Sequence, residues 1–252
     1  MHEKTEQKNI IYWILAIVVA FYSGSAVSVI SSTYRNTIIY VAAFVVVIRV
    51  LEHGFRVSKS LRTVFLLLFS VMIFITAIAS NYSTFYLRIF ATIYVAYEIS
   101  EKVDGSILID VYIKFMTFVT ALALAGYFAV NVLGLGDKLP KFTNLNDVAY
   151  RGILLFNYIE SIPERNCALF WEPGLFATAL TFALVFEIIY VNHKNIPRMI
   201  LFVAGIVTAN STAGYVMLAL LFVLASLKIE PKQKLLKVLL SFIQIMVVII
   251  SI

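Results

Sequence analysis

The sequence predicts an all-α fold: a polytopic α-helical integral membrane protein with about nine transmembrane spans and its N-terminus inside. Of the 252 residues, 62% are hydrophobic and only 13% are charged, and the mean hydropathy is +0.94. Soluble domains contain roughly 45–50% apolar and about 25% charged residues. The apolar runs recur along the whole sequence and are continuous rather than alternating in polarity, which favours membrane-spanning helices over a membrane β-barrel.

Polar breaks separate the apolar runs into the predicted spans. Several of the runs are short for a hydrocarbon core of about 30 Å, which takes about 20 helical residues. The predicted spans are residues 10–30, 37–50, 61–80, 85–99, 107–133, 169–190, 196–209, 214–227 and 235–252. Together they form one predicted membrane domain, 1–252, with a long outer loop at 134–168 between the fifth and sixth spans.

The Lys and Arg residues indicate the orientation. Most of them fall in the segments that face inward if the N-terminus is inside, and the short outer loops are nearly uncharged, as the positive-inside rule requires. This distribution accounts for the net charge of +6 without a nucleic-acid partner. The single cysteine, Cys167, excludes an internal disulfide and a thiolate metal cluster, and we predict neither a metal nor a cofactor.

The outer loop ends in a stretch where charged residues meet the sixth predicted span. Arg165 precedes the aromatic pair Phe170 and Trp171, and Glu172 then begins a Glu-Pro-Gly sequence. Ionised groups are costly near hydrocarbon, so this stretch is the first candidate for chemistry. A structural interpretation stays open, because a proline and a carboxylate favour a helix start and arginine anchors segments at the interface.

The rest of the outer loop is rich in Tyr, Asn, Asp and Arg. Aromatic rings cover the faces of sugars, and amides and carboxylates bond to their hydroxyls, so this composition suits a sugar-binding surface. The same residues also suit an ordinary interfacial loop, and composition alone does not separate the two.

Two short runs lie on the outer side of the predicted membrane domain. The first is LFWEPGLF at residues 169–176, preceded by Arg165, and the second is TANSTAGY at residues 208–215. Together they resemble the outer-loop motif pair of the bacterial O-antigen polymerase and O-antigen ligase superfamily. In the branch that polymerises O-antigen, capsule or exopolysaccharide, an arginine precedes an aromatic-Glu-Pro-Gly helix start, and a Ser-Thr-Gly-Tyr-like break opens a later helix. The resemblance in motif covers about residues 165–215.

The resemblance implies a membrane glycosyltransferase at the outer face of the bacterial cytoplasmic (inner) membrane. Its substrate would be an undecaprenyl-diphosphate-linked oligosaccharide, polymerised into surface polysaccharide without a cofactor. Its partners would be the lipid bilayer and, in the same pathway, a chain-length regulator and a flippase. Because diphosphate is already a good leaving group, guanidinium contacts can stabilise its charge without a metal.

The resemblance also implies roles for individual charged residues. Arg165 and Arg151 would hold the diphosphate, and Glu172 would either orient Arg165 or accept the proton of the acceptor hydroxyl. Arg88 is a further substrate-binding candidate, about one turn below the outer surface, although snorkelling to lipid headgroups explains it equally well.

Trp171 and the second run complete the predicted substrate-binding residues. Ser211, Thr212 and Tyr215 lie at an outer helix start, where hydroxyls and free backbone N–H groups can meet an anion or a sugar. The alternative for these residues is that they only cap the eighth span.

The sequence departs from the family in two places, and other functions stay open. The ligase branch of the family uses a histidine in a later outer loop. This sequence has no such histidine, so the resemblance favours a polymerase over a ligase. The sequence ends at Ile252 within the apolar run that begins at Leu235, so we expect an incomplete family member. The alternatives are a transporter or flippase of lipid-linked saccharide and a non-catalytic, truncated family member.

Overall fold

The computed structural model describes residues 104–227, apart from 154 and 192–194, together with a few residues nearer the N-terminus. Those residues are 24–26, 29, 37, 40, 41, 44, 47, 48, 51, 67, 71, 93, 96 and 97. The chain divides into two compact units. One comprises Met1–Ser23 and Ser32–Asp104, and the other comprises Gly24–Ser31 and Gly105–Ile252. The elements described below belong to the second unit.

Four helices form the larger part of the second unit, as far as the structure describes it. They are α1 (Gly105–Asn131), α2 (Pro173–Ile189), α3 (Ile196–Ala209) and α4 (Thr212–Leu227). The principal contacts join every pair of these helices except α1 and α4.

Capping residues set several of the helix ends. Pro173 occupies the first turn of α2, where its fixed φ and missing N–H are tolerated. Asn195 caps α3 by accepting a hydrogen bond from a backbone N–H of the first turn at 3.1 Å. Asn210 ends α3 with a left-handed backbone (φ 46°). Ser211 then caps α4 by accepting a hydrogen bond from the N–H of Gly214 at 3.4 Å.

Glycines allow the helices to approach closely. A Cβ at Gly205 of α3 would lie 2.5 Å from Leu180 of α2 and 2.8 Å from Thr120 of α1. A Cβ at Gly214 of α4 would lie 2.6 Å from the Cβ of Ala177 in α2. Any larger side chain at either glycine would therefore push these helices apart. The core between the helices includes the fully buried residues Ile113, Met116, Val119, Phe176, Phe202 and Ile206.

A three-stranded antiparallel sheet lies between α1 and α2 in the sequence. Its strands are β1 (Lys141–Thr143), β2 (Ala149–Ile153) and β3 (Phe156–Ile159), in the order β1-β2-β3. Tyr150 is the register partner of Phe142 in β1 and of Ile159 in β3. A short 3₁₀-helix, Gly136–Lys138, connects α1 to the sheet.

The sheet packs on the C-terminal part of α1. The ring of Phe156 lies directly over Gly126, where a Cβ would be 2.5 Å from the ring. The segment after β3 reaches the C-terminal end of α3, because the N–H of Asn166 donates to the carbonyl of Thr208 at 2.9 Å. The ends of α1 and α3 and the starts of α2 and α4 therefore share one end of the helices, which we call the sheet end.

The predicted all-α fold with about nine spans is wrong. The predicted outer loop, 134–168, contains the three-stranded sheet. Within residues 104–227, only α1 is long and apolar enough to cross a membrane, with 27 residues and a hydropathy of 1.9. The other apolar helices are shorter: Pro173–Ile189, Ile196–Ala209 and Thr212–Phe222.

The shorter helices explain why apolar composition overstated the number of spans. At 1.5 Å per residue, helices of 14 to 17 residues are about 21 to 26 Å long, less than a hydrocarbon core of about 30 Å. The predicted spans 10–30, 37–50, 61–80, 85–99 and 235–252 lie mostly or entirely outside the described residues.

Candidate active site

The backbone directly before α2 is buried and non-helical at residues 166–170. We call residues 165–174, which run into the first turn of α2, the motif segment. Cys167, Ala168 and Leu169 are all buried. The carbonyl of Ala168 accepts hydrogen bonds from the N–H of Asn157 at 2.8 Å and from its Nδ2 at 2.6 Å. Ala168 has a φ of 51°, an uncommon conformation for a residue with a side chain, so the surrounding bonds hold the segment in a strained path.

Asn166 fixes the start of the motif segment to two helices. Its Nδ2 donates to the carbonyl of Ala123 in α1 and to Oγ1 of Thr208 in α3, each at 3.2 Å. Its Oδ1 accepts a hydrogen bond from the N–H of Ala168 at 3.0 Å. Asn166 is buried, so these bonds form in a place without competing water.

Glu172 and Ser211 converge at Gly174. Oε1 of Glu172 lies 3.3 Å from the position that a Cβ at Gly174 would take, and Oγ of Ser211 lies 3.5 Å from the same position. Glu172 is the N-cap residue of α2, with an extended backbone, but its carboxylate makes no capping hydrogen bond. No hydrogen bond or ion pair joins this carboxylate to the described side chains.

At the start of α4, which the second sequence run predicts, one hydroxyl caps the helix and others are more exposed. Ser211 is 9% exposed and caps α4, so the capping alternative is observed for this residue. The hydroxyl of Tyr215 lies 3.2 Å from both the carbonyl of Val207 and Oδ1 of Asn210, either of which can accept its proton. Thr212 is exposed at the first position of α4. The starts of α2 and α4 thus lie side by side, with their positive dipole ends at the sheet end.

Arg165 is the exposed cation of the motif segment. Its guanidinium makes no ion pair with any described carboxylate, and its charge acts on the thiol of Cys167 and on the phenol of Tyr215. Burial raises the pKa of the Cys167 thiol to about 12, with Glu172 acting in the same direction and Arg165 in the opposite direction. Cys167 is therefore a protonated core residue and a poor nucleophile at neutral pH.

Arg151 forms ion pairs with the carboxylates of Glu160 and Asp137. Its Nε donates to Oε1 of Glu160 at 2.9 Å, and its Nη1 donates to the carbonyl of Asp137 at 3.1 Å. Lys141 binds the other oxygen of Glu160 at 2.5 Å. The hydrogen bonds from Lys141 and then Arg151 lower the pKa of the Glu160 carboxyl, which keeps this cluster ionised. The arrangement joins the 3₁₀-helix, β1 and β2.

Tyr150 and Arg151 point to opposite faces of the sheet, since successive side chains of a strand alternate. The hydroxyl of Tyr150 donates to the carbonyl of Trp171 at 2.8 Å, so this residue faces the motif segment. Burial raises the pKa of the Tyr150 phenol, which therefore remains a donor. Arg151 faces away from the motif segment, and the structure does not bring it to Glu172.

Trp171 is half-buried next to Glu172, with its backbone held at both ends. Its carbonyl accepts from Tyr150, and its N–H donates to the carbonyl of Gly24 at 3.0 Å. Its ring stacks on no other described aromatic ring. Arg88 lies outside the described residues, and its predicted role stays a prediction.

Two groups that the sequence did not single out are fixed by the structure. Asn166 directly follows Arg165, and the sequence prediction considered only the charged residue of the two. Glu187, near the other end of α2, is fully buried and accepts from Nη1 of Arg198 at 3.1 Å and from the N–H of Asn195 at 2.9 Å. The available signal for this buried pair was a second carboxylate, Glu187, far from the charged start of the predicted span 169–190.

The described residues contain no group of three or more His, Cys, Asp or Glu side chains that could hold a metal ion. No protein-family model matches the chain, and no similar protein was found among curated proteins or among solved structures.

Proposed function

We propose that the chain is a membrane glycosyltransferase that polymerises undecaprenyl-diphosphate-linked repeat units at the outer face of the bacterial cytoplasmic membrane. One observation carries the proposal: Glu172 and Ser211, from two separate runs of the sequence, converge at Gly174. The exposed cation Arg165 begins the motif segment that contains Glu172. These residues belong to the two runs on which the resemblance to O-antigen polymerases rests.

The convergence of two helix starts suits an anionic substrate. The first N–H groups of a helix have no partner within the helix, and the dipole favours negative charge there. Arg165 adds a guanidinium that can bind diphosphate oxygens in a bidentate manner, and no described carboxylate competes for it. We therefore assign Arg165 to the diphosphate, and we assign Ser211 and Thr212, at the start of α4, to the same substrate.

Glu172 can accept the proton of the acceptor sugar. The acceptor oxygen attacks the anomeric carbon of the donor sugar, and the bond from that carbon to the diphosphate breaks as the diphosphate leaves with its electron pair. The proton of the acceptor hydroxyl passes to Glu172, whose carboxylate makes no other described hydrogen bond. Trp171 offers an aromatic face to one of the sugars.

The helix surfaces support a location in the membrane. All four helices expose large apolar side chains, and such surfaces indicate contact with lipid or with another protein. Examples that are more than half exposed are Phe118 on α1, Phe182 on α2, Ile200 on α3 and Leu220 on α4. The polar sheet lies at one end of these helices, where a lipid-linked saccharide would meet them.

The test replaces the two charges in a strain that lacks its own polymerase. We expect Arg165→Ala and Glu172→Gln each to abolish long glycan chains while single lipid-linked repeat units remain, because both groups act on the reacting bond. The readout is the chain-length ladder of the surface polysaccharide on a gel, with membrane levels of each variant measured in parallel.

Lys138→Ala is the matched control, since Lys138 is an exposed cation of the same end of the unit with no described ion pair. Its ladder should equal that of the wild type. Normal ladders in both site variants refute the assignment. Loss of the single repeat units from the outer face would instead indicate a flippase.

A further inference from the structure

The helical backbone that contains Gly24 is interrupted at Ser25. Gly24 and Ala26 are helical, whereas Ser25 between them forms an antiparallel β-bridge with Phe170 of the motif segment. Ser25 is fully buried. Gly24–Ser31 belongs to the same compact unit as the motif segment, although Ser25 and Phe170 are far apart in the sequence.

The interruption and the motif segment satisfy each other's backbone groups. The N–H of Ala26 donates to the carbonyl of Leu169 at 2.8 Å, and the N–H of Trp171 donates to the carbonyl of Gly24 at 3.0 Å. A helix end leaves carbonyl groups without partners, and a helix start leaves N–H groups without partners. Because an unpaired buried backbone group costs as much as a lost hydrogen bond, neither segment is satisfied in this place without the other.

Gly24 also sets how closely the two segments approach. A Cβ at Gly24 would lie 3.1 Å from Cδ1 of Phe170 and 3.4 Å from Cδ1 of Leu175 in the first turn of α2. These two residues flank Trp171 and Glu172 in the sequence. A side chain at Gly24 would therefore press on both sides of the pair that the proposed function uses.

We infer that Gly24 is a positioning residue of the proposed active site: its carbonyl and its lack of a side chain hold Trp171 and Glu172 at the sheet end. For its effect on activity the inference rests on the proposed function. The contact itself does not, and can be measured separately.

The test is Gly24→Ala in a Trp13→Phe background, in which Trp171 is the only tryptophan of the chain. Gly24 does not have a positive φ, and alanine favours helix more than glycine, so the variant should fold. The added methyl displaces Phe170, and we expect the acrylamide quenching constant of Trp171 to change. The rate of polymerisation should fall about tenfold, since a misplacement near 1 Å costs about 100-fold in rate.

Two further variants separate positioning from general damage. Phe170→Leu combined with Gly24→Ala should restore both readouts, because the leucine side chain can rotate away from the added methyl. Gly105→Ala is the matched control, since a Cβ at Gly105 would meet nothing within 4 Å, and it should change neither readout.

Unchanged quenching of Trp171 in Gly24→Ala overturns the inference, whatever the activity. Changed quenching with a normal rate also overturns it, because Gly24 then touches the segment without positioning it for reaction. A parent chain that forms no polymer refutes the proposed function, and the quenching of Trp171 still decides whether Gly24 holds the segment.

Discussion

Replacing Asn166 by alanine should destabilise the second unit strongly. The substitution removes two donated hydrogen bonds, to the carbonyl of Ala123 and to Oγ1 of Thr208, and one accepted bond, from the N–H of Ala168. The first two join α1 to α3 through one side chain. The third satisfies a backbone group within the strained motif segment.

The size of the effect follows from what each group loses. Ala168 is fully buried, so its N–H would lose its acceptor in a place without water, at a cost of about 1–3 kcal/mol. Thr208 keeps its own hydrogen bond to the carbonyl of Gly205, and the carbonyl of Ala123 lies within α1, so these losses are smaller. We expect a total of about 2–4 kcal/mol.

The assay is thermal unfolding of the purified protein in detergent, followed by circular dichroism. For a chain of this size, about 2–4 kcal/mol lowers Tm by roughly 5–15 °C. Asn131→Ala is the matched control, because Asn131 also donates two hydrogen bonds, to the carbonyls of Tyr127 and Pro163, but is exposed. Its Tm should fall by about 2 °C or less. A fall for Asn166→Ala no larger than that of the control would refute the assignment of Asn166 as the buried link between α1 and α3.

Two other carboxylates give further predictions. The hydrogen bond from Lys141 is the main cause of the lowered pKa of Glu160, so the Tm advantage of the wild type over Glu160→Gln should be full above about pH 4.5 and disappear as the pH falls below it. A constant difference across that range, measured by thermal unfolding, would contradict this. Glu187→Ala leaves Arg198 partly buried without its partner and should cost about 2–4 kcal/mol, whereas Asp110→Ala, in an exposed pair, should cost about 0.5 kcal/mol or less.

Residues at the helix ends predicted the helix bounds better than the apolar composition predicted the fold. The segment 196–209 was predicted with the bounds that α3 has, because Asn195 and Asn210 act within one turn of the helix that they delimit. The predicted span 169–190 started too early, because its first residues are as apolar as those of α2 but pair with other segments instead of forming a helix. Apolar composition does not distinguish a buried extended segment from a span.

The sheet was missed because its signals are short and its stability is not local. Its strands have three to five residues, and their register depends on pairs such as Tyr150 with Ile159. Side-chain packing on the helices decides whether such strands form, as Phe156 does over Gly126. In a sequence dominated by apolar runs, the polar loop offered no pattern long enough to predict this arrangement.

The partners of the motif segment were only partly predictable. Glu172 and Ser211 were expected on the same side, since both precede helices that start there, and the structure places them around Gly174. The interruption at Ser25 was not expected, although Gly24 and Ser25 are small residues within an apolar run. Which distant segment fills such an interruption depends on long-range backbone pairing, which a single sequence does not reveal.

The carboxylate of Glu172 differs from those of Glu160 and Glu187 in a way that bears on the proposed function. Glu160 and Glu187 each bind a cation, and each joins elements of the fold. Glu172 sits at a helix start, where a side chain commonly caps the helix, yet it makes no capping bond. Ser211 performs that task for α4 with a shorter side chain. Among the described side chains Glu172 has no hydrogen-bond or ion-pair partner, and the backbone bonds of Trp171 hold it in place, as the proposed function requires.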